Sequence, residues 1–305
     1  MPRSRVTLKD VAAASGVSTA TASFVLNKVT TQTIAPATQE RVRRAAADLG
    51  YVPQGSARAL REGRSRLVLL NAGRLPVTGS LRSFITGLDT ELSAHGHTLL
   101  VRHGATTGIP ARTGEGALKQ AVDIVDPRAV IDLVRLYADE DPDRLDGGWI
   151  DGLAAHTATQ IDYLIGRGHS RIGFAMPADE RLAGIARLRF QQACAVARGR
   201  GVAEPVGVTG EAVEMPAGVT AVAAFDDDVA LRLLSVMADR GLRAPDDLAV
   251  IGFDDSGYGE MWRPALTTVR IDAAGYGRRA ARAVLGFPLD AVAPDPSIVV
   301  VRTSA

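Results

Sequence analysis

The 305-residue sequence contains a single cysteine, Cys194, so no internal disulfide is possible. That economy suits a reducing compartment. No run of 18 apolar residues occurs, and the basic start Met1-Pro2-Arg3-Ser4-Arg5 is followed by no apolar stretch. Neither a membrane span nor a secretory signal is expected, and the expected location is the cytoplasm, on the nucleoid. Signatures of catalysis are missing too. There is no phosphate-cradling P-loop and no serine-nucleophile elbow. His95, His97, His103 and His156 do not fall at metal-ligand spacing. Gly275-Tyr276-Gly277-Arg278-Arg279-Ala280 fits a loose dinucleotide fingerprint, but inside a predicted helix and far from the first strand. Asp226-Asp227-Asp228 resembles a magnesium site, yet acids in a first helical turn are favoured by the helix dipole without any metal. The sequence therefore yields no catalytic residue, no metal ligand set and no cofactor.

What is present divides the chain in two. Net charge is +1, but residues 1–66 carry eleven Lys/Arg against four acids, a net of +7, leaving −6 on the remainder. A basic head on an acidic body points to a polyanionic partner at one end only. The head reads as three helices. Thr7-Leu8-Lys9-Asp10 has capping-box spacing, with Asp in place of the commoner Glu, and opens a helix over 8–14. Gly16 breaks it and Ser18 caps a second helix that runs to about Leu26. Pro36 starts a third, whose stripe is Val42, Ala45, Ala46 and Leu49, with Gly50 as its stop. Two short helices, a tight turn and a supporting third make a helix-turn-helix, which seats the start of its second helix in the major groove. A plain three-helix bundle is the competing reading. The polar run Ser18, Thr19, Thr21, Ser23 and the basic charge favour DNA.

From Leu67 the pattern becomes alternating strands and helices. Strands are predicted at 67–71, 98–102, 129–133, 171–176, 221–225, 248–253 and 298–302. Helices are predicted near 80–95, 114–125, 156–167, 183–199, 227–240 and 272–285. Such alternation implies parallel sheets covered by helices on both faces, with ligands beyond the carboxyl ends of the strands.

The stretch Val6-Thr7-Leu8-Lys9-Asp10-Val11-Ala12, with Gly16-Val17-Ser18, Ser23, Val25-Leu26-Asn27, Thr38, Arg41-Val42 and Leu49-Gly50-Tyr51-Val52-Pro53, resembles the head of the lactose-repressor/galactose-repressor (LacI/GalR) family. The match covers about 60 residues apart from a loop near 28–34. The later core matches in Gly168-His169-Ser170-Arg171-Ile172-Gly173-Phe174, Arg187-Leu188-Arg189, Val250-Ile251-Gly252-Phe253-Asp254-Asp255 and Pro264-Ala265-Leu266-Thr267-Thr268-Val269. The resemblance implies a helix-turn-helix domain over 1–52, a hinge helix over 53–63 and a two-lobed, periplasmic-binding-protein-like α/β domain over 64–305. Its first lobe covers about 67–152 plus a C-terminal return, and its second about 153–282. By the same resemblance Thr19, Ala20 and Phe24 face base edges, while Thr7, Leu8, Ser18, Thr21, Ser23, Asn27 and Thr38 belong to the DNA contact set, mostly on phosphates. Many relatives carry Arg where this chain has Phe24, which offers only an apolar face. Ala57 and Leu60 fall on the hinge positions, with Leu60 as a wedge into the minor groove. Arg189, Phe225, Asp226 and Asp254 fall on effector contacts.

The first lobe departs from the family pattern. Tyr137–Trp149 reads as polar and short, and Asp151-Gly152-Leu153 replaces a Val-x-x-Asp-Asn run. Residues 73–80 replace a polar, ligand-facing loop. The expected function is a DNA-binding regulator, a repressor, acting as a homodimer on a pseudo-palindromic double-stranded operator and modulated by a sugar-like small molecule. An effector-independent regulator with a degenerate pocket is the alternative, and an α/β enzyme with a DNA-binding head the weaker one.

Overall fold

A computed structural model of the chain describes residues 6–26, 33–51, 65–104, 114–141, 144–209 and 216–305. It forms two compact units, 1–65 and 66–305.

The first unit holds helices α1 (Leu8–Ser15), α2 (Thr19–Leu26) and α3 (Pro36–Asp48). The Asp10 carboxylate accepts from the Thr7 backbone N–H and from its hydroxyl, both at 2.7 Å, so Asp serves where Glu is usual. Those bonds hold the Asp10 carboxyl below the usual carboxylate range. Gly16, at φ +64°, ends α1, and the Val17 N–H closes back on the Ala12 carbonyl. The Ser18 hydroxyl oxygen accepts from the Thr21 N–H at 3.1 Å and so caps α2. The core is Val11, Ala12, Ala22, Val25, Val42 and Ala46. Its alanines let the helices cross closely. Arg41 donates from Nε to the Ser15 carbonyl at 2.9 Å, giving the end of α1 a partner. Leu49, expected in the buried stripe, is instead 38% exposed. The helix stops at Asp48 and the chain turns at Gly50, so Tyr51 packs on the core in its place.

The second unit contains two sheets. In the first, β1 (Leu67–Gly73) lies between β2 (Thr98–His103) and β3 (Ala129–Asp132), all parallel. The second has the order β5-β4-β6-β7-β8-β9, from β4 (Ile172–Met176), β5 (Val206–Thr209), β6 (Ala221–Ala224), β7 (Ala249–Phe253), β8 (Thr267–Arg270) and β9 (Ile298–Val300). Its pairs are parallel except β8–β9. The helices are α4 (Gly79–Ala94), α5 (Gly114–Val125), α6 (Leu133–Ala138), α7 (Trp149–Ala155), α8 (Thr157–Gly166), α9 (Ala183–Gly199), α10 (Asp227–Asp239) and α11 (Ala273–Leu285). Central strands β1, β6 and β7 are buried on both faces, which explains their unbroken apolar runs.

Three differences from the sequence reading matter. The stretch Tyr137–Trp149, read as polar, is bounded by core residues: Tyr137 is buried on α6, and Trp149 is fully buried against Phe84 at 5.0 Å and Tyr276 at 5.8 Å. Strands β5 and β8 were not expected; each is only four residues long. Finally, α11 leaves the second sheet and packs along α4 in the first lobe. A Cβ on Gly277 would stand 2.0 Å from the Phe84 carbonyl oxygen, and one on Gly87 2.0 Å from that of Ala274. The second lobe, expected to reach 282, thus ends before α11, and Gly277 of the loose dinucleotide pattern serves this helix crossing, while Gly275 faces Asp272 and Pro294.

Candidate functional site

The head presents a polar edge. Thr19 and Ala20 are exposed at the start of α2, and Phe24, one turn further on, is half-buried. Ser18 is exposed with its hydroxyl 2.9 Å from that of Thr21. Thr7 is exposed at the N-cap of α1, and Thr21, Ser23 and Thr38 are half-buried. Leu8 differs from the rest of this set: its side chain packs on the head's core. Asn27, Ala57 and Leu60 lie outside the described residues.

The second feature is a cleft in the larger unit. From the second sheet, Phe225 and Asp226 follow the carboxyl end of β6, and Asp254 follows that of β7. Leu182, Ile185 and Arg189 come from the start of α9 and the turn before it. The first lobe supplies Pro76, Thr78 and Ser80 after β1, Tyr137 from α6 and Leu153 from α7. Arg189, Phe225, Asp226 and Asp254, separated by up to 65 positions, thus line one space. Pro76, Thr78 and Ser80 fall in the segment 73–80 that replaces a ligand-facing loop, whereas sequence reasoning missed Tyr137 and Leu153, which carry no local signal for the cleft. The cavity inside is about 20 Å³, room for roughly one water.

Arg189 is 2% exposed. Its Nε donates to the Thr157 hydroxyl at 2.9 Å, one Nη to the Phe225 carbonyl and the other to Gln160 Oε1 at 3.3 Å. Gln160 is fixed in turn by the Ala224 carbonyl, which accepts from its Nε2 at 2.8 Å. The guanidinium lies 3.7 Å over the Phe253 ring. Among the described residues no carboxylate lies within ion-pair distance of it, and burial lowers its pKa to about 10. Such a group, already held through three bonds, keeps N–H donors for a ligand.

Asp226, Asp227 and Asp228 follow β6 and Asp254 follows β7, and each points its own way. Asp226 Oδ1 accepts from the Val229 N–H at 2.8 Å and caps α10; burial lifts its pKa to about 6. Asp227 takes the Thr268 hydroxyl at 2.5 Å and the Ser256 N–H at 2.7 Å, and burial raises it as well. Asp228 is exposed. The run that resembled a magnesium site diverges into a helix cap, a carboxylate tied to Thr268 and Ser256, and an exposed side chain. Asp254, at φ +107°, accepts from the Ser80 hydroxyl. Burial, reinforced by the Asp226 and Asp227 charges, raises it to about 8 against the opposing pull of Ser80 and Arg189. Carboxyl oxygens beside guanidinium N–H groups, walled by Phe225 and Tyr137, can take a ligand's hydroxyls as donors and acceptors at once.

A helix-turn-helix head joined to a two-lobed α/β core with its cleft at the strand ends is the build of a DNA-binding regulator with a sensor domain. Residues 7–54 match the model of bacterial regulatory proteins of the lacI family, and 161–304 that of the periplasmic binding protein-like domain. The transcriptional repressor PurR of Vibrio atlanticus (strain LGP32) is 31% identical over 308 residues, covering 90% of this chain and 89% of that protein. The transcriptional regulator CelR of Thermobifida fusca is 30% identical, covering 92% and 91%. The fold superposes on the lac repressor dimer bound to operator and the anti-inducer ONPF with a TM-score of 0.73 at 22% identity, covering 99% of each chain. The chain belongs to the lacI family of bacterial regulatory proteins and is a DNA-binding transcription regulator.

Proposed function

We propose that the protein is a repressor that reads a pseudo-palindromic operator as a homodimer and answers to a polyhydroxylated small molecule in the interlobe cleft. The carrying observation is the convergence of Arg189, Asp226 and Asp254 at the carboxyl ends of two strands, with Ser80 facing them from the other lobe. Thr19, Ala20 and Phe24 read base edges. Thr7, Ser18, Thr21, Ser23, Asn27 and Thr38 hold phosphates and supply most of the affinity. Residues 53–63 form the hinge, with Leu60 as the wedge beside Ala57. Two copies are needed because two heads meet two half-sites, and exposed Tyr258, Met261 and Trp262 offer apolar surface for pairing. PurR and CelR being regulators, the protein acts by binding rather than catalysis, and does so in the cytoplasm. Among the described residues no helix is long and apolar enough to cross a membrane.

A thermal-shift screen of the full chain with sugars, nucleosides and polyols, followed by operator binding with each hit, tests the cleft. A rise of several degrees that also changes operator affinity is expected. A second reading, regulation without an effector, is favoured by one observation, the 20 Å³ cavity; it gains if no compound moves either quantity.

A further inference from the structure

The first lobe closes the cleft in an unusual way. Strand β3 runs straight into α6 with no loop between them: Asp132 ends the strand, and its carboxylate accepts from the Val134 N–H at 3.1 Å and from Asn71 Nδ2 at 2.8 Å. The helix is thus pinned at its start, and Asp139, at φ +62°, turns the chain away at its end. Each lobe makes room for it with a glycine. A Cβ on Gly73, at the end of β1, would stand 2.5 Å from Val134 Cγ2. One on Gly184, in the first turn of α9, would stand 2.3 Å from the Tyr137 carbonyl oxygen. The helix therefore packs closely on both lobes, through the Val134 side chain on the first and its own backbone on the second. Its Tyr137 side chain enters the cleft, is 7% exposed, and accepts a hydrogen bond from Trp149 Nε1 at 3.3 Å. Two further contacts join the lobes at the same place: Ser80 with Asp254, and the Arg181 guanidinium with the Arg74 carbonyl.

We propose that Tyr137, delivered by α6, is the cleft's own occupant: its phenol ring takes up part of the space an effector needs and must be displaced before an effector can bind. Tyr137 is then a specificity-determining residue of the cleft as well as its plug. A ligand succeeds only if its contacts with Arg189, Asp226 and Asp254 exceed what the ring's packing supplies. The inference rests on the cleft being the effector site, but its test uses no effector, so failure of the screen above leaves it decidable.

The test is chemical rescue in the full-length protein. Tyr137→Ala removes a buried ring and should lower Tm by about 10 °C. Millimolar phenol, the excised ring, should restore several degrees in the variant and leave the parent unmoved, as expected for a ligand that fits only a vacated space. Equal shifts in both proteins, or none in either, would overturn the proposal. Should Tyr137→Ala not fold, hydrogen exchange on the unmodified, ligand-free chain decides. Protection of the amides at 136–139 for minutes or longer supports the plug; exchange at unfolded-chain rates refutes it.

Discussion

The Ser80 hydroxyl donates to the Asp254 carboxylate at 2.5 Å, joining the two lobes across 174 positions of sequence. This bond meets a carboxyl whose burial, with Asp226 and Asp227 nearby, makes it hold its proton to about pH 8. A carboxyl with its folded pKa raised above the ordinary value of 3.8 contributes stability that is complete below that value and is lost as pH rises through about 8. Urea unfolding should therefore show a less stable protein at pH 9 than at pH 6. Asp254→Asn, which keeps an acceptor for Ser80, should reduce that loss; an unchanged difference between the two pH values would contradict the burial argument.

Arg189 is held by three acceptors and a ring rather than by an ion pair. Arg189→Ala leaves the Thr157, Gln160 and Phe225 groups without their donor and opens a cavity, so a loss of about 3 kcal/mol in urea unfolding is expected. Arg189→Lys should recover little of it, because an ammonium cannot reproduce the planar fork. Full recovery by Lys would mean that charge, rather than geometry, is what the site requires.

Gly277 on α11 faces the Phe84 carbonyl on α4 with no room for a methyl group. Gly277→Ala must move one helix backbone, at a cost of about 2–3 kcal/mol. Gly286→Ala makes a useful contrast: no atom stands in the way there, but its φ of +76° is strained for a side chain. A thermal midpoint for Gly277→Ala equal to that of the parent would show that the two helices do not cross so closely.

At the head, Phe24→Arg should shift operator preference toward a guanine at the contacted position, since Arg can grip guanine through two bonds and Phe cannot. Leu60→Ala should weaken specific binding more than nonspecific binding. Selection from a randomised half-site, and parallel titrations on operator and unrelated DNA, read these outcomes. Equal losses on both DNAs for Leu60→Ala would remove the wedge from the account.

How much of this was legible in the sequence followed the range of the interactions. Thr7 with Asp10, Gly16, Ser18 and Pro36 act within a turn of their own positions, and the structure uses each as its spacing implied. Arg189 and Asp254 were legible through family resemblance, but Arg189's anchorage on Thr157 and Phe225 was not. The stretch after β3 was misread because Asp139, Glu140, Asp141 and Arg144 dominate its composition, while its two ends, Tyr137 and Trp149, are what the core takes. Tyr137 and Leu153 reach the cleft only through tertiary packing, which no local pattern records.

The most direct measurement is footprinting of the full-length protein on genomic fragments around its own gene, repeated over a range of salt concentrations. One protected, pseudo-symmetric site of roughly 16–20 base pairs is expected, with affinity that falls steeply as salt rises. Weak binding that is blind to sequence and protects no defined site would contradict the reading of this chain as an operator-binding dimer.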